Sequence, residues 1–235
     1  MWNPSDVYFG RTISLSIKNF SATVRLEPSR DLVIRPHPFH DLVSFSSTQH
    51  LAGLSGSSAI VCATFNCLLD FYEVRHLVKV EIRPDLILNA EKELGIVAGL
   101  QDRIAQVYGG LVYMNFNKEH MDKLGHGLFS PMDIDLLPPL YLIYAENPSD
   151  SGKVHNSVRQ RWLNGDPCIR SSMEEVANLA LEGHRVLLEK NYTELVSLIN
   201  RNFDLRRQMF GGDALGSPNI KMIEGDLKTV SVVET

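Results

Sequence analysis

The sequence predicts an α+β fold, because segments with strand patterning and segments with helix patterning occur in both halves of the chain. Early in the chain, apolar residues alternate with polar ones at Ile13, Leu15 and Ile17, which is the two-residue period of a half-buried strand. Later segments carry helix start signals, in which a polar capping residue is followed three positions on by Glu. With 235 residues, 44% of them hydrophobic, the chain is long enough to bury a core.

The N-terminal half is expected to open with strands. The alternation over 12–17 is repeated at Val24 and Leu26, and the polar pair Lys18-Asn19 lies between the two segments, so this region predicts a β-hairpin. Residues 31–34 predict a third short strand. The segments 111–116 and 140–145 predict two further strands, since both are short and apolar.

Three helices are expected before residue 110. The first covers 57–72, the second covers 84–94 with Pro84 in its first turn, and the third covers 100–108. Gly109-Gly110 ends the third helix, since glycine readily adopts the conformation that follows a helix.

The C-terminal half is expected to be mostly helical. Ser172 and Glu175 form a capping pattern that opens a helix to about residue 190, and Asn191 and Glu194 open another through residue 210. The double proline Pro138-Pro139 predicts a domain boundary, which divides the chain into domains 1–137 and 138–235.

Composition excludes several classes of function. A net charge of −5 does not favour broad nucleic-acid binding, which needs a basic face. No apolar stretch approaches the ~20 residues that span a bilayer, and residues 1–6 do not have the pattern of a secretory signal. Three cysteines (Cys62, Cys67 and Cys168) are interpreted as reduced core thiols. We therefore expect a cytoplasmic protein without nucleic-acid or membrane partners.

A Gly/Ser loop directly before the first long helix is the most informative motif. It reads Gly-Leu-Ser-Gly-Ser-Ser-Ala from Gly53 to Ala59. Glycines let the backbone approach a ligand, and the first amides of a helix have no partner within it, so the segment predicts a phosphate site.

Two carboxylates follow about forty residues later. Glu91 and Asp102 lie eleven positions apart, and a glycine-containing turn separates them. Phosphoryl transfer from ATP needs a phosphate-binding loop, a divalent ion and a group that orients the attacking hydroxyl. A carboxylate after the turn can serve as that last group.

These motifs together resemble the GHMP kinases, and most closely the plant members that phosphorylate glucuronate. The resemblance covers most of the chain from residue 3 to about residue 224. It is carried by Asn3–Thr12, Gly53–Ala59, Ala90–Arg103 and Tyr144–His155.

The resemblance implies a two-domain GHMP-kinase-like fold, with an N-terminal part like ribosomal protein S5 domain 2 and a ferredoxin-like C-terminal part. It implies the reaction of ATP with D-glucuronate to give D-glucuronate 1-phosphate and ADP, with Mg²⁺ as cofactor and a product that feeds UDP-glucuronate synthesis. Asp102 would accept the proton of the anomeric hydroxyl, Glu91 would be the acidic Mg²⁺ ligand, and Ser57 or Ser58 would offer a hydroxyl to the ion.

The remaining expected site residues contact ATP or the sugar. The ATP-binding residues would be Leu51, Ala52, Gly53, Leu54, Ser55, Gly56, Ser57, Ser58 and Ala59. Those contacting the sugar hydroxyls or the substrate carboxylate would be Asn3, Ser5, Asp6, Arg11, Arg103 and Lys153, with Arg159 a further cation for the carboxylate.

Comparison with the family pattern also predicts a fold that is incomplete at both ends. The family's first strand, a segment of several dozen residues before the phosphate loop, and its third Gly-rich motif have no counterpart in the sequence. A second hypothesis therefore stands beside the active kinase. It is a non-catalytic protein that binds nucleotide weakly or pairs with a full-length partner.

Overall fold

The computed structural model describes residues 5–31, 33, 55–93, 98–142, 152–211 and 220, apart from the side chains of Ser5 and residues 152–156. Within these residues the fold is mixed, with one three-stranded sheet and eight α-helices. The strands are β1 Arg11–Leu15, β2 Leu111–Asn115 and β3 Leu128–Met132. The helices are α1 Ser5–Tyr8, α2 Gly56–Phe71, α3 Arg83–Glu93, α4 Gln101–Tyr108, α5 Lys118–Leu124, α6 Gly152–Leu163, α7 Pro167–Leu188 and α8 Tyr192–Phe210. Short 3-10 turns occur at Arg75–Leu77, Val80–Ile82 and Ile134–Leu136.

The sheet is antiparallel in the order β1-β2-β3, so β2 is its central strand. Successive side chains of β2 point to opposite faces, and both faces are buried. Val112 and Met114 pack with residues of α3 and α4, whereas Leu111 and Tyr113 pack with residues of α7 and α8. The sheet therefore lies between two layers of helices.

A third cluster fixes the N-terminal helix to the C-terminal helices. Tyr8 of α1 packs with Val158 of α6, Met173 of α7 and Leu205 of α8, and its ring meets that of Trp162 edge to face at 5.2 Å. Buried apolar area of this kind stabilises by about 25 cal/mol per Å². α1 is thereby held against α6 although about 150 residues separate them in sequence.

Capping residues explain where several helices begin and end. Asn191 accepts a hydrogen bond from the backbone N–H of Glu194 at the start of α8, and Gly211 follows its end with a φ of 79°. Both expectations for this helix are confirmed. The predicted helices 57–72, 84–94 and 100–108 and the strand 111–116 are also confirmed, each to within about a residue.

The predicted hairpin is wrong. β1 pairs with β2, a strand about one hundred residues later, and residues 16–31 contain no strand. Alternation predicted a strand but carries no information about which strand it pairs with. Of the third early strand, predicted over 31–34, residues 31 and 33 are not in a strand, and the other two lie outside the described residues. Residues 140–142 are not a strand, and the rest of that predicted segment also lies outside them.

Four of the helices and strands were not predicted, and one helix start was wrong. α1, α5, β3 and α6 were missed, although Asn117 caps α5 and Gly125 ends it. α7 begins at Pro167 rather than near Ser172, because the Asp166 carboxylate accepts the N–H groups of Cys168 and Ile169. Ser172 is buried within that helix. Among the cysteines, Cys62 is buried but Cys168 is exposed, so the assignment of Cys168 to the core is wrong.

The described residues contain no helix with the length and apolarity needed to cross a membrane. The division at Pro138-Pro139 stays a prediction. Val186 and Leu195, from the C-terminal side of that point, share a buried cluster with Ile13 and Leu111 from the N-terminal side.

Gly127 precedes β3 at a position without room for a side chain. A Cβ there would lie 2.9 Å from the backbone oxygen of Asn115 and 2.9 Å from a ring carbon of Phe129. We expect Gly127→Ala to lower the free energy of unfolding by about 1–3 kcal/mol, since an overfilled site displaces its neighbours. Urea denaturation followed by circular dichroism measures this, with the exposed strand substitution Ser130→Ala as control. An unchanged midpoint for Gly127→Ala would contradict the tight packing.

Candidate active site

Helix α2, which follows the predicted phosphate loop, begins at a strained residue. Ser55 has φ 55° and ψ 38°, a left-handed conformation that is uncommon outside glycine and asparagine. Its carbonyl oxygen accepts the N–H of Ala59 at 3.1 Å and the hydroxyl of Ser58 at 2.9 Å. These contacts hold the strained turn. Such strain is found preferentially at functional sites.

Gln106 of α4 ties this turn to the next helix. Its side-chain amide donates to the Ser55 carbonyl oxygen at 3.1 Å and to Ser58 Oγ at 2.9 Å. Ser58 is 1% exposed, and its hydroxyl both donates and accepts within this network. The Gln106 Oε1 atom is buried and has no hydrogen-bond partner. Sequence reasoning missed Gln106, although it lies one helical turn after Asp102.

Ser57 differs from Ser58 in its partner. The Ser57 Oγ lies 3.5 Å from Oε1 of Glu91, at the end of α3. Glu91 is fully buried, and its other oxygen, Oε2, accepts from Arg103 of α4. The start of α2 and the end of α3 therefore bring a hydroxyl and a carboxylate oxygen together.

The ion pair of Glu91 with Arg103 is the most buried charge pair among the described residues. Arg103 Nε and Nη2 donate to Glu91 Oε2 at 2.6 and 2.5 Å, and the two side chains are 4% and 0% exposed. Arg103 Nη1 also donates to the Gly99 carbonyl oxygen at 3.1 Å and lies 3.6 Å from Oδ2 of Asp102. This guanidinium therefore contacts both carboxylates that the sequence singled out.

Asp102 lies in the first turn of α4, and its side chain is 46% exposed. The preceding turn is held by Asp6, whose Oδ1 accepts the backbone N–H of Leu100 at 3.1 Å. Gly99 is needed here, because a Cβ on it would lie 2.8 Å from that same oxygen. Asp6 thus anchors the turn that presents Asp102.

Several charged side chains lie near Asp6 and affect its pKa. Burial raises the pKa of Asp6, while the Leu100 N–H and the charges of Lys92 and Arg159 act in the opposite direction. Burial also raises the pKa of Asp85, and the neighbouring charge of Asp6 adds to that increase. Acidic and basic side chains therefore converge where α1, α3 and α4 meet.

The expected substrate-binding cations lie in different environments. Arg11 donates to Asn178 Oδ1 at 3.4 Å, and Arg103 is held by Glu91. Arg159 is exposed on α6, and its charge acts on Asp6 and Tyr8. The side chains of Ser5 and Lys153 lie outside the described residues. So do Asn3 and the loop residues Leu51, Ala52, Gly53 and Leu54.

An Mg²⁺ ion fits the oxygen atoms at Ser57 and Glu91. Mg²⁺ prefers oxygen ligands at about 2.0–2.1 Å and is usually held by one or two protein groups together with substrate phosphates. The two oxygens are 3.5 Å apart, close enough for one ion to contact both. Among the described residues there is no cluster of three or more His, Cys, Asp or Glu that could hold a metal.

Comparison with known proteins adds independent information. The sequence model described as "GHMP kinases N terminal domain" matches residues 27–110, which include Ser57, Glu91 and Asp102. "Glucuronokinase 1" of Arabidopsis thaliana is 58% identical to this chain over 272 residues, covering 94% of this chain and 75% of the relative. "Probable glucuronokinase 2" of Arabidopsis thaliana is 56% identical over 273 residues, with the same shares covered. No solved structure shows a significant match.

Both alignments are longer than this chain, so they include positions of the relatives that have no counterpart here. Sequence identity of 56–58% across 94% of this chain nevertheless establishes that these proteins are related. Together with the family match over residues 27–110, it shows that this chain belongs to the GHMP kinase family.

Proposed function

We propose that this chain is an ATP-dependent kinase that phosphorylates D-glucuronate at its anomeric hydroxyl, giving D-glucuronate 1-phosphate and ADP. The observation that carries the proposal is that Glu91 and Asp102 both contact the buried guanidinium of Arg103, while the other oxygen of Glu91 faces Ser57 at the start of α2. The names of the Arabidopsis relatives supply the substrate.

The start of α2 would bind the ATP phosphates. The N–H groups of Gly56, Ser57 and Ser58 occupy the first turn of a 16-residue helix, where amides have no carbonyl partner within the helix. The helix dipole adds a partial positive charge at the same end. Residues 51–54 would extend this phosphate site, as the family pattern implies.

Mg²⁺ would be held by Ser57 and Glu91 together with phosphate oxygens. We favour Ser57 over Ser58, because the Ser58 hydroxyl is already committed to Ser55 and Gln106. When bound, the ion neutralises the charge that develops on the transferring phosphoryl group.

Asp102 would receive the proton. As the anomeric oxygen forms its bond to the γ-phosphorus, the bond from that phosphorus to the β-phosphate oxygen breaks, and the hydroxyl proton passes to the Asp102 carboxylate. Its exposure lets substrate approach, and the Gly99 and Leu100 contacts hold the helix start in place. A positioned base of this kind accelerates a reaction by about 10²–10⁴-fold.

Arg159 is the cation we assign to the substrate carboxylate. Its side chain is exposed and its charge reaches Asp6, next to the turn that carries Asp102. An arginine can bind a carboxylate through two parallel hydrogen bonds. Asn3, Ser5 and Asp6 would contact the sugar hydroxyls, as the family pattern implies.

The other expectations are part of the same proposal. The ferredoxin-like fold of the C-terminal part and the supply of UDP-glucuronate synthesis follow from the family resemblance, and the cytoplasmic location follows from the composition. The second hypothesis, a non-catalytic nucleotide-binding protein, is favoured by the positions of the relatives that have no counterpart here.

Replacement of the proposed base tests the reaction directly. Asp102→Asn is expected to lower kcat with glucuronate, ATP and Mg²⁺ by about 10²–10⁴-fold, because the amide cannot accept the proton. ADP release measures the rate. Asp122→Asn, an exposed acid on α5, is the matched control and should retain the rate of the unaltered protein. Equal rates for Asp102→Asn and the unaltered protein would rule out Asp102 as the base.

Nucleotide binding without turnover would support the second hypothesis instead. An active kinase is expected to show both ADP release and a rise in Tm with Mg²⁺ and ATP, since a ligand that binds the folded state stabilises it. A rise in Tm without any glucuronate-dependent ADP release would contradict the kinase proposal.

The carboxylate assignment predicts a substrate-specific effect. Arg159→Gln should raise the KM for glucuronate about 10-fold or more, since a hydrogen bond to a charged group contributes about 1.5–3 kcal/mol. The KM for ATP should stay the same. Arg170→Gln, which removes an exposed arginine from the neighbouring helix α7, is the control. An unchanged KM for glucuronate in Arg159→Gln would overturn the assignment.

A further inference from the structure

The side chain of Arg103 contacts several groups of the candidate site. Three of its nitrogens point at three partners, namely the Glu91 carboxylate, the Gly99 carbonyl and the Asp102 carboxylate. A substrate-binding role was expected for this arginine from the sequence, because the substrate carries a carboxylate. The geometry supports a different role.

The Arg103 charge is not available to a substrate carboxylate. Its side chain is 4% exposed, and its partner Glu91 is fully buried. If Arg103 turned toward another anion, the Glu91 charge would be buried without a partner. A buried unpaired charge strongly lowers the free energy of unfolding. Arg159, by contrast, is exposed.

The ion pair decides which oxygen of Glu91 faces Ser57. Nε and Nη2 of Arg103 both donate to Oε2, so Oε1 is left on the side of Ser57 Oγ at 3.5 Å. Two guanidinium donors on Oε2 hold that oxygen in place more firmly than a single ammonium group would.

The same side chain also holds the turn before Asp102. Nη1 donates to the Gly99 carbonyl oxygen at 3.1 Å, while Asp6 accepts the N–H of the next residue, Leu100, at 3.1 Å. Successive backbone groups of the turn are therefore bound by side chains of opposite charge. The first turn of α4, which carries Asp102, follows directly.

We propose that Arg103 is a positioning residue that orients the Glu91 carboxylate toward Ser57 and the metal, and holds the turn that presents Asp102. This inference rests on the proposed function, since it assigns Glu91 to Mg²⁺ and Asp102 to the hydroxyl proton. Arg103 acts through both acids and does not contact the sugar.

The test compares Arg103→Lys, which keeps the charge but loses the fork, with Arg103→Met, which loses both. The affinity for Mn²⁺ in the presence of ATP, measured by electron paramagnetic resonance, reports on the metal ligands without turnover. We expect it to fall about 10–100-fold in both variants, as is typical when a partner of a metal ligand is removed. Arg185→Met is the matched control, because Arg185 of α7 forms exposed ion pairs with Glu182 and with Glu189, the residue after the helix.

Steady-state kinetics separate positioning from substrate binding. A positioning role predicts that Arg103→Lys lowers kcat about 10–100-fold and leaves the KM for glucuronate within about twofold. A raised KM for glucuronate with unchanged kcat and Mn²⁺ affinity would identify Arg103 as a substrate-binding residue and overturn the proposal.

A double substitution supplies a second test in case Arg103→Met does not fold. Arg103→Met leaves the Glu91 charge buried, so circular dichroism must show that the variant is folded. If it is not, Glu91→Gln combined with Arg103→Gln removes both charges. This pair should bind Mn²⁺ no more weakly than Glu91→Gln alone, because Arg103 acts through Glu91. A further loss in the double variant would contradict the proposal.

The Mn²⁺ affinity also allows the positioning role of Arg103 to be tested separately from the proposed kinase function. If the unaltered protein does not phosphorylate glucuronate, the proposed function fails, but the Mn²⁺ affinities of the Arg103 variants still decide whether Arg103 positions Glu91. Unchanged Mn²⁺ affinity in Arg103→Lys and Arg103→Met would overturn the positioning role even in an active kinase.

Discussion

The buried ion pair between Arg103 and Glu91 is the contact on which the candidate site depends. It joins the end of α3 to the start of α4 inside the core, where neither charge reaches water. An isolated charge at such a place costs several kcal/mol, a large part of the ~5–15 kcal/mol that stabilises a domain. The pair therefore holds the two helices in one arrangement, and Ser57 and Asp102 take their positions relative to it.

The rest of the fold supports this pair from two sides. α4 and the central strand β2 share an apolar cluster that includes Ile104 and Val112, so the helix that carries Asp102 lies on a rigid surface. From the other side, α1 is held by the cluster around Tyr8 and directs Asp6 at the turn before α4. Packing of this kind is what keeps catalytic groups within the narrow tolerances that chemistry needs.

Several elements with strong local signals were predictable from the sequence, although α5 was missed, and the pairing of strands was not predictable. The cap at Asn191 and the glycine at 211 bounded α8 correctly, because capping depends on a few neighbouring residues. The start of α7 was misplaced, since Ser172 offered a valid capping pattern while Asp166 and Pro167 offered a stronger one. The pairing of β1 with β2 was missed, because alternation does not identify the partner strand.

The candidate site also combines features that the sequence predicts with features that only the tertiary structure shows. The sequence by itself determined the phosphate-loop motif and the two acids at Glu91 and Asp102, because these depend on residue type and spacing along the chain. Only the tertiary structure decided that Arg103 faces Glu91, that Gln106 takes up the hydroxyl of Ser58, and that Ser57 is left beside the carboxylate. The physical reason is that a buried charge or hydroxyl takes the partner that packing brings within about 3 Å, and the spacing along the chain does not show which side chains packing brings together.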